Sequence, residues 1–253
     1  MDPTGRHQAL HAVLDVIDAL ESGPRGISDI ARDLEVSKGG VHKILRNLEQ
    51  RGLVASTPDH RYRLGLRLWE LGTAAVAGLG LRQIALPYME KLTDVTGEGS
   101  LLSVYDGGDV VYLEKVVSPQ PVVATTRIGG RTPAFCSATG KAILAWQPAD
   151  EIERVLAGPL ERFNDATVTE PRAIRADLAR VREIGYAVNH GTWRGEIHGV
   201  AAPIRDHSGS VVAALGITGP AYRFEDGGID SVAPLVVTTA EEISRELGWS
   251  HGG

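Results

Sequence analysis

Apolar positions recur along this chain in two distinct rhythms. From Leu10 to Gly52 the spacing is helical. Leu10, Val13, Leu14, Ile17 and Leu20 form one stripe, which Gly23-Pro24 ends. Ile27, Ile30, Ala31 and Leu34 form a second, and Val41, Ile44, Leu45 and Leu48 a third. Only Glu35, Val36 and Ser37 separate the last two stripes, which leaves room for a tight turn, and Ser37 suits an N-cap because its hydroxyl can accept from free backbone N–H groups. The spacing predicts a helix-turn-helix braced from behind by the first helix. Leu53-Val54, a turn through Ala55 to Asp59, and Arg61 to Leu64 then read as a hairpin with His60 and Arg61 near its tip. Leu64, Leu66, Leu68 and Leu71 with several alanines continue as a helix to about Gly78-Leu79-Gly80. The stripe Leu68, Leu71, Ala75 and Leu79 is longer than this small region's core needs, so it is expected to serve as linker and dimer contact, or else to pack on its own second domain.

Beyond residue 80 the rhythm alternates. A helix over Ile84 to Thr96 opens the region. Strands are expected at Ser100 to Tyr105 and Val110 to Val117, joined at Gly107-Gly108, with a third at Val122 to Ile128. Helices follow at Ala138 to Ala145, Ile152 to Leu156 and Ile174 to Ile184. Strands at Tyr186 to Asn189, Gly199 to Ile204 and Val211 to Thr218 come next, and a last helix at Ile229 to Leu247. Hairpins and helices interleave without regular βαβ alternation, so an α+β fold with an antiparallel sheet flanked by helices is expected. The implied division is a winged helix-turn-helix over 1–64, a linker helix over 65–80 and a larger domain over 81–250. The 253 residues suffice for a core in each.

Charge is distributed unevenly. The chain carries a net −6, yet Ser37 to Arg63 holds six Lys or Arg against two Asp or Glu. Once its apolar stripe is buried, the second helix of the motif shows solvent Lys38, Gly39, His42, Lys43, Arg46, Asn47 and Gln50. Such a face suits a DNA major groove, and Arg61 and Arg63 on the hairpin can reach flanking phosphates. A plain helical hairpin with a basic outer face has the same pattern, and the wing-like hairpin after it favours DNA. The single cysteine, Cys136, excludes an internal disulfide or a Cys-rich zinc site. No run approaches the roughly 20 apolar residues of a membrane span. Asp2, Arg6 and His7 precede a polar-studded helix rather than a signal-peptide core, so a cytoplasmic protein is expected.

The run GISDIARDLEVSKGGVHKILRNLEQRGLVASTPDHRYRLGLRLWELG, followed by GRTPAFCSATGKAILA and GVAAPIRDHSGSVVAALGITGP, resembles the IclR family of bacterial transcriptional regulators over nearly its full length. The resemblance implies a winged helix-turn-helix, a linker helix and a C-terminal effector-binding domain related to GAF and PAS folds. It also implies dimers or tetramers, and two recognition helices related by symmetry would read a double-stranded, pseudo-palindromic operator; no cofactor is expected. Carried over by position, it nominates Cys136, Ala138, Thr139, Gly140, Pro203, Gly216 and Thr218 for the effector pocket. On residue chemistry alone, Ser137 to Lys141 reads either as an anion-attracting helix start or as a serine capping its own helix. The chain departs from the family pattern at Phe135, where a histidine is frequent, and at Asn189-His190-Gly191-Thr192-Trp193, where an acidic pair is frequent. With Trp193 added to the pocket, those departures imply a larger, aromatic or carboxylate-bearing effector in place of a small polar acid.

Other chemistry finds little support in the residues. Cys136 has no nucleophile-elbow sequence around it. His190, His198 and His207 match no zinc spacing. Arg127, Gly129, Gly130 and Arg131 read as a solvated loop in preference to a phosphate cradle. No catalytic or metal-binding residue is expected. An enzyme of small-molecule metabolism fused to a helical binding module is the alternative.

Overall fold

In the computed structural model, residues 3–77, 80–124, 126–225 and 228–250 are described. The chain divides into two compact units, Met1–Leu79 and Gly80–Gly253.

The first unit contains α1 (Pro3–Ala19), α2 (Ile27–Asp33), α3 (Lys38–Gln50), the hairpin β1 (Val54–Ser56) and β2 (Tyr62–Leu64), and α4 (Leu66–Ala77). Its core joins Val16 of α1 and Leu20, just past its end, to Ile30 and Ala31 of α2, Val41, Leu45 and Leu48 of α3, and Val54 of β1. The buried face of α1 is therefore Val13, Val16, Ile17 and Leu20. Leu10 and Leu14, expected inside, are 61% and 51% exposed. Leu10 and Leu14, one turn apart, sit on a side of α1 rotated away from the face that Val13, Val16, Ile17 and Leu20 turn to the core. On α4, Leu66, Trp69 and Leu71 are likewise exposed, while the expected stripe positions Ala75 and Leu79 lie outside the described side chains. The hairpin is fastened to the helices at three places. Arg25 and Tyr62 exchange backbone bonds of 2.9 and 2.8 Å, and Glu49 of α3 accepts from the Ser56 amide at 3.2 Å. At Gly65, a Cβ would stand 2.0 Å from the Gly52 carbonyl oxygen, so only glycine lets the wing's exit cross so close to the end of α3.

The second unit opens with α5 (Leu81–Thr96) and builds a six-stranded sheet in the order β5-β4-β3-β8-β7-β6, antiparallel throughout. Its strands are β3 (Gly99–Asp106), β4 (Asp109–Val116), β5 (Arg131–Pro133), β6 (Ala187–His190), β7 (Ile197–Arg205) and β8 (Val211–Pro220). α5 and α9 (Gly228–Glu246) cover one face, where Leu102, Val200, Ala202, Ile204, Ala213, Leu215 and Ile217 form the core. α6 (Ala138–Leu144), α7 (Ala149–Ala157) and α8 (Pro171–Ile184) belong to the other face, packed over Val110, Ala187, Ala201 and Ala214. Successive residues of β7 and β8 thus serve opposite cores, as the two-residue period of a strand dictates.

One expected strand does not form. Val122 to Ile128 belongs to an irregular segment, residue 125 of which lies outside the described residues, and Val122, Val123 and Ile128 face solvent. Pro119 and Pro121 lack the N–H a ladder requires. Side chains hold the segment instead: Arg223 Nη2 donates to the Val122 carbonyl at 2.9 Å and Lys115 Nζ to that of Thr126 at 2.6 Å. The edge of the sheet is taken by the three residues of β5, paired with Asp109–Val111.

Leu45 is fully buried at the centre of the first unit. Leu45→Ala should destabilise that unit by about 2–5 kcal/mol, seen in a guanidinium titration as an earlier first transition while the transition of the second unit stays in place.

Candidate functional site

The recognition surface grows from α3. Ser37 caps the helix, its Oγ accepting from the Gly40 amide at 3.1 Å, and Glu35 takes the left-handed conformation (φ 54°) that makes the turn from α2 tight. With Val41, Leu45 and Leu48 turned inward, Lys38, Gly39, His42, Lys43, Arg46 and Asn47 are exposed along one side. Among the described residues, Lys38, His42, Lys43, Arg46 and Asn47 form no hydrogen bond or ion pair within the chain. Their donors are unspent. The wing is less free. Thr57 Oγ1 donates to Asp59 at 2.6 Å and accepts from the Arg61 amide at 3.1 Å, closing the tip, and Arg61 pairs with Asp59 at 3.3 Å. Arg63 donates to the Leu64 carbonyl at 3.3 Å, and both arginines remain exposed.

In the second unit, the residues nominated for an effector do not all meet. Ala138, Thr139, Trp193, Gly216 and Thr218 line one cavity of about 40 Å³. The others lie elsewhere. Gly140 is buried inside the seat of α6, where a Cβ would come within 2.4 Å of Ala134 Cα. Cys136 lines a separate groove at the β6 edge with Lys141 and Asp177; its thiol lies 3.5 Å from the Pro133 carbonyl, and burial pushes its pKa up to about 12. Pro203 points to the same face of β7 as Gly199 but four residues further along, in a cleft beside Trp146. Strand period places it on the correct side, and distance along the strand removes it.

The helix start at Ser137 is spoken for. Ser137 Oγ accepts from the Gly140 amide at 3.1 Å and donates to the Pro133 carbonyl at 3.3 Å, so this serine caps its own seven-residue helix. What the cavity has in place of a helix dipole is side-chain chemistry: Tyr112 and Arg194, together with Leu101, Ile197 and Ile217. Tyr112 hydrogen-bonds Thr132 at 3.1 Å, and burial holds its hydroxyl above the usual phenol range and therefore protonated. The Arg194 guanidinium lies 4.4 Å over the Trp193 ring. Gly199 and Gly216, and Ala124 and Thr126 of the irregular segment, also line the cavity. Sequence reasoning overlooked Tyr112, Arg194 and the irregular segment; a cation next to a newly gained tryptophan was the available signal.

The loop that carries Trp193 is held by a polar lattice. Asn189 Oδ1 accepts from the Thr192 amide at 2.7 Å. Asn164 Nδ2 donates to the carbonyls of Gly191 at 3.0 Å and Trp193 at 3.3 Å, and Thr167 Oγ1 to that of Thr192 at 2.7 Å. Gly191 has φ 71°, and a Cβ there would meet the Gly195 carbonyl oxygen at 2.5 Å.

No group of three or more His, Cys, Asp or Glu among the described residues could hold a metal ion, and no described helix is long and apolar enough to cross a membrane.

Comparison with known proteins matches residues 10–58 to the IclR helix-turn-helix domain and residues 73–245 to the bacterial transcriptional regulator IclR C-terminal family. The HTH-type transcriptional regulator XynR of Escherichia coli (strain K12) is 30% identical over 246 residues, covering 96% of this chain and 98% of that one. The glycerol operon regulatory protein of Streptomyces coelicolor is 34% identical over 247 residues, covering 95% and 96%. Among solved structures, an IclR homolog from Microbacterium hydrocarbonoxydans complexed with 4-hydroxybenzoate superposes with a TM-score of 0.84 at 30% identity, covering 94% of this chain and 98% of that one. Thermotoga maritima IclR superposes at 0.78, also at 30% identity, covering 98% and 100%. With an exposed recognition helix in one unit and an effector-domain sheet in the other, the chain belongs to the IclR family of bacterial transcriptional regulators.

Proposed function

We propose that this regulator reads its operator with Lys43 and Arg46 of α3, as a cytoplasmic homodimer or higher oligomer, and that its effector is an aromatic carboxylate held by Trp193 and Arg194. The DNA assignment rests on the uncommitted donors of α3. A cation already paired within the protein must break that pair to contact a phosphate or a base; among the described residues, Lys43 and Arg46 have none to break. Apolar side chains left in water support self-association. Leu10 and Leu14 of α1 and Leu66, Trp69 and Leu71 of α4 are all exposed, and a second copy covering them would hold two recognition helices for half-sites about one helical turn, or a multiple of it, apart.

The observation that carries the effector reading is the pairing of an exposed cation with an aromatic platform in the lining of a cavity that also includes Leu101, Ile197 and Ile217. Arg194 supplies charge and donors for a carboxylate, Trp193 and Leu101 supply ring contacts, and the Tyr112 hydroxyl can meet a polar substituent. The solved neighbour that holds 4-hydroxybenzoate supports this class. About 40 Å³ is near the volume of one water. An aromatic acid therefore enters only as the Trp193 loop or the segment at Ala124 and Thr126 moves, and that movement is the differential contact through which effector can shift operator affinity. No chemistry on the ligand is part of this reading: Cys136 is buried and fully protonated at neutral pH.

Arg46→Ala should weaken specific operator binding by about 1–3 kcal/mol in a gel-shift titration, and an unaltered footprint at equal protein concentration would remove Arg46 from the interface. Trp69→Glu combined with Leu66→Glu should abolish cooperative occupancy of a two-half-site operator; cooperative binding retained by that variant would place the self-association surface elsewhere. In calorimetric titration with 4-hydroxybenzoate, Trp193→Ala and Arg194→Gln should each cost about tenfold or more in affinity. Equal binding by both variants and the unaltered protein would exclude this cavity.

A further inference from the structure

A second concave site lies at the far end of β7, and it is independent of the effector reading. It is a cleft of about 330 Å³ where the last turn of α8, the residues after α6 and the C-terminal half of α9 converge. Two guanidinium groups line it. Arg205 donates from Nη1 to the Gly209 carbonyl at 2.9 Å and lies with its Cζ 4.0 Å over the Trp146 ring. Arg182 donates from Nη1 to the Ala145 carbonyl at 2.7 Å. Among the described residues, neither has a carboxylate within ion-pair distance. The indole N–H of Trp146 is buried without a hydrogen-bond partner among the described residues. An orphan donor in a protein interior is destabilising, and this one belongs to the ring over which the Arg205 guanidinium lies. Carbonyls and a ring face satisfy part of these groups. They leave each guanidinium with free N–H donors and the indole with none of its bonding capacity used.

We propose that this cleft binds a small organic carboxylate, with Arg205 and Arg182 supplying the charge and Trp146 Nε1 a third donor. A planar two-oxygen acceptor matches the guanidinium fork. Glu183 and Glu241 also line the cleft; Glu241 faces Arg245 at 3.7 Å, and Glu183 is exposed. These two carboxylates set the upper limit on ligand charge. They repel a dianion twice as strongly as a monoanion at the same distance, which selects a monocarboxylate over phosphate. β7 runs from Gly199 in the effector cavity to Arg205 in this cleft, so occupancy of one site bears on a strand that the other shares.

The test uses the full chain labelled with 5-fluorotryptophan, whose four indoles give fluorine resonances assigned by single Trp→Phe replacements. Benzoate should shift the Trp146 resonance to saturation. The shift should persist in Trp193→Ala, which separates it from the effector cavity, and Arg182→Gln and Arg205→Gln should each raise the benzoate concentration at half-saturation about tenfold or more. Arg205 also fastens a turn, so the exposed Arg182 provides the variant with least risk to folding. A Trp146 resonance that benzoate leaves unmoved, a shift lost with Trp193→Ala, a shift indifferent to Arg182→Gln, or tighter binding of inorganic phosphate than of benzoate would each overturn the proposal.

Discussion

The second unit depends on how closely α6 can lie on its sheet. Ala138, Thr139 and Gly140 meet strands that present Ala201, Ala214 and Gly216, and the fit leaves no spare methyl. A Cβ on Gly216 would stand 2.9 Å from Thr139 Cγ2 and 3.0 Å from Ala201 Cβ, and one on Gly140 would press on the backbone of Ala134. Interiors packed to this density transmit displacement in preference to absorbing it. Because the helix is seated so low, its N-terminal end forms a wall of the candidate effector cavity, while Ala145 and Trp146 at its other end meet Arg182 and Arg205. A larger residue at any of these positions would lift both walls together.

What the sequence disclosed, and what it hid, follows from how local each signal is. The stripes of α2 and α3 could be read directly because four residues of each repeat on one face and both faces are buried in the same core. α1 misled because Leu10 and Leu14 sit on a side of it rotated away from the core; the amphipathic period reports an apolar face and not what covers it. Val122 to Ile128 has strand composition, yet prolines before it and a free sheet edge leave its carbonyls to Arg223 and Lys115. Composition gives no sign of such partners, which come from residues 101 and 11 positions away in the chain.

The candidate sites divide in the same way. The donors of α3 were legible because helix geometry alone fixes which side remains in water. Of the positions nominated for an effector, Ala138, Thr139, Gly216 and Thr218 share one cavity. Pro203 lies apart from them, because alternation gives the face but not the distance along the strand, and Cys136 and Gly140 lie apart because their burial serves the turn and seat of α6. Arg194 and Tyr112 reach the cavity from a loop and a neighbouring strand, so only tertiary structure brings them together.

The hydrogen bonds around Trp193 indicate where effector binding would first be felt. Thr192 Oγ1 donates to the Cys136 carbonyl at 2.6 Å, in the turn that immediately precedes α6. Asn164 and Thr167, from the connection between α7 and α8, hold the other side of the same loop. A ring too large for a 40 Å³ space must displace Trp193, the segment at Ala124 and Thr126, or both. If Trp193 moves, the loop either breaks several bonds at about 0.5–1.5 kcal/mol each or carries its partners with it. The second course is cheaper, and it delivers the displacement to the turn before α6 and so to the helix whose seat has no slack. A flexible, solvent-bonded loop would have dissipated the same movement. With an effector in this cavity, the lattice of Asn164, Thr167, Asn189 and Thr192 would convert its entry into a push on a rigid element, which is the physical requirement for a signal to leave the cavity.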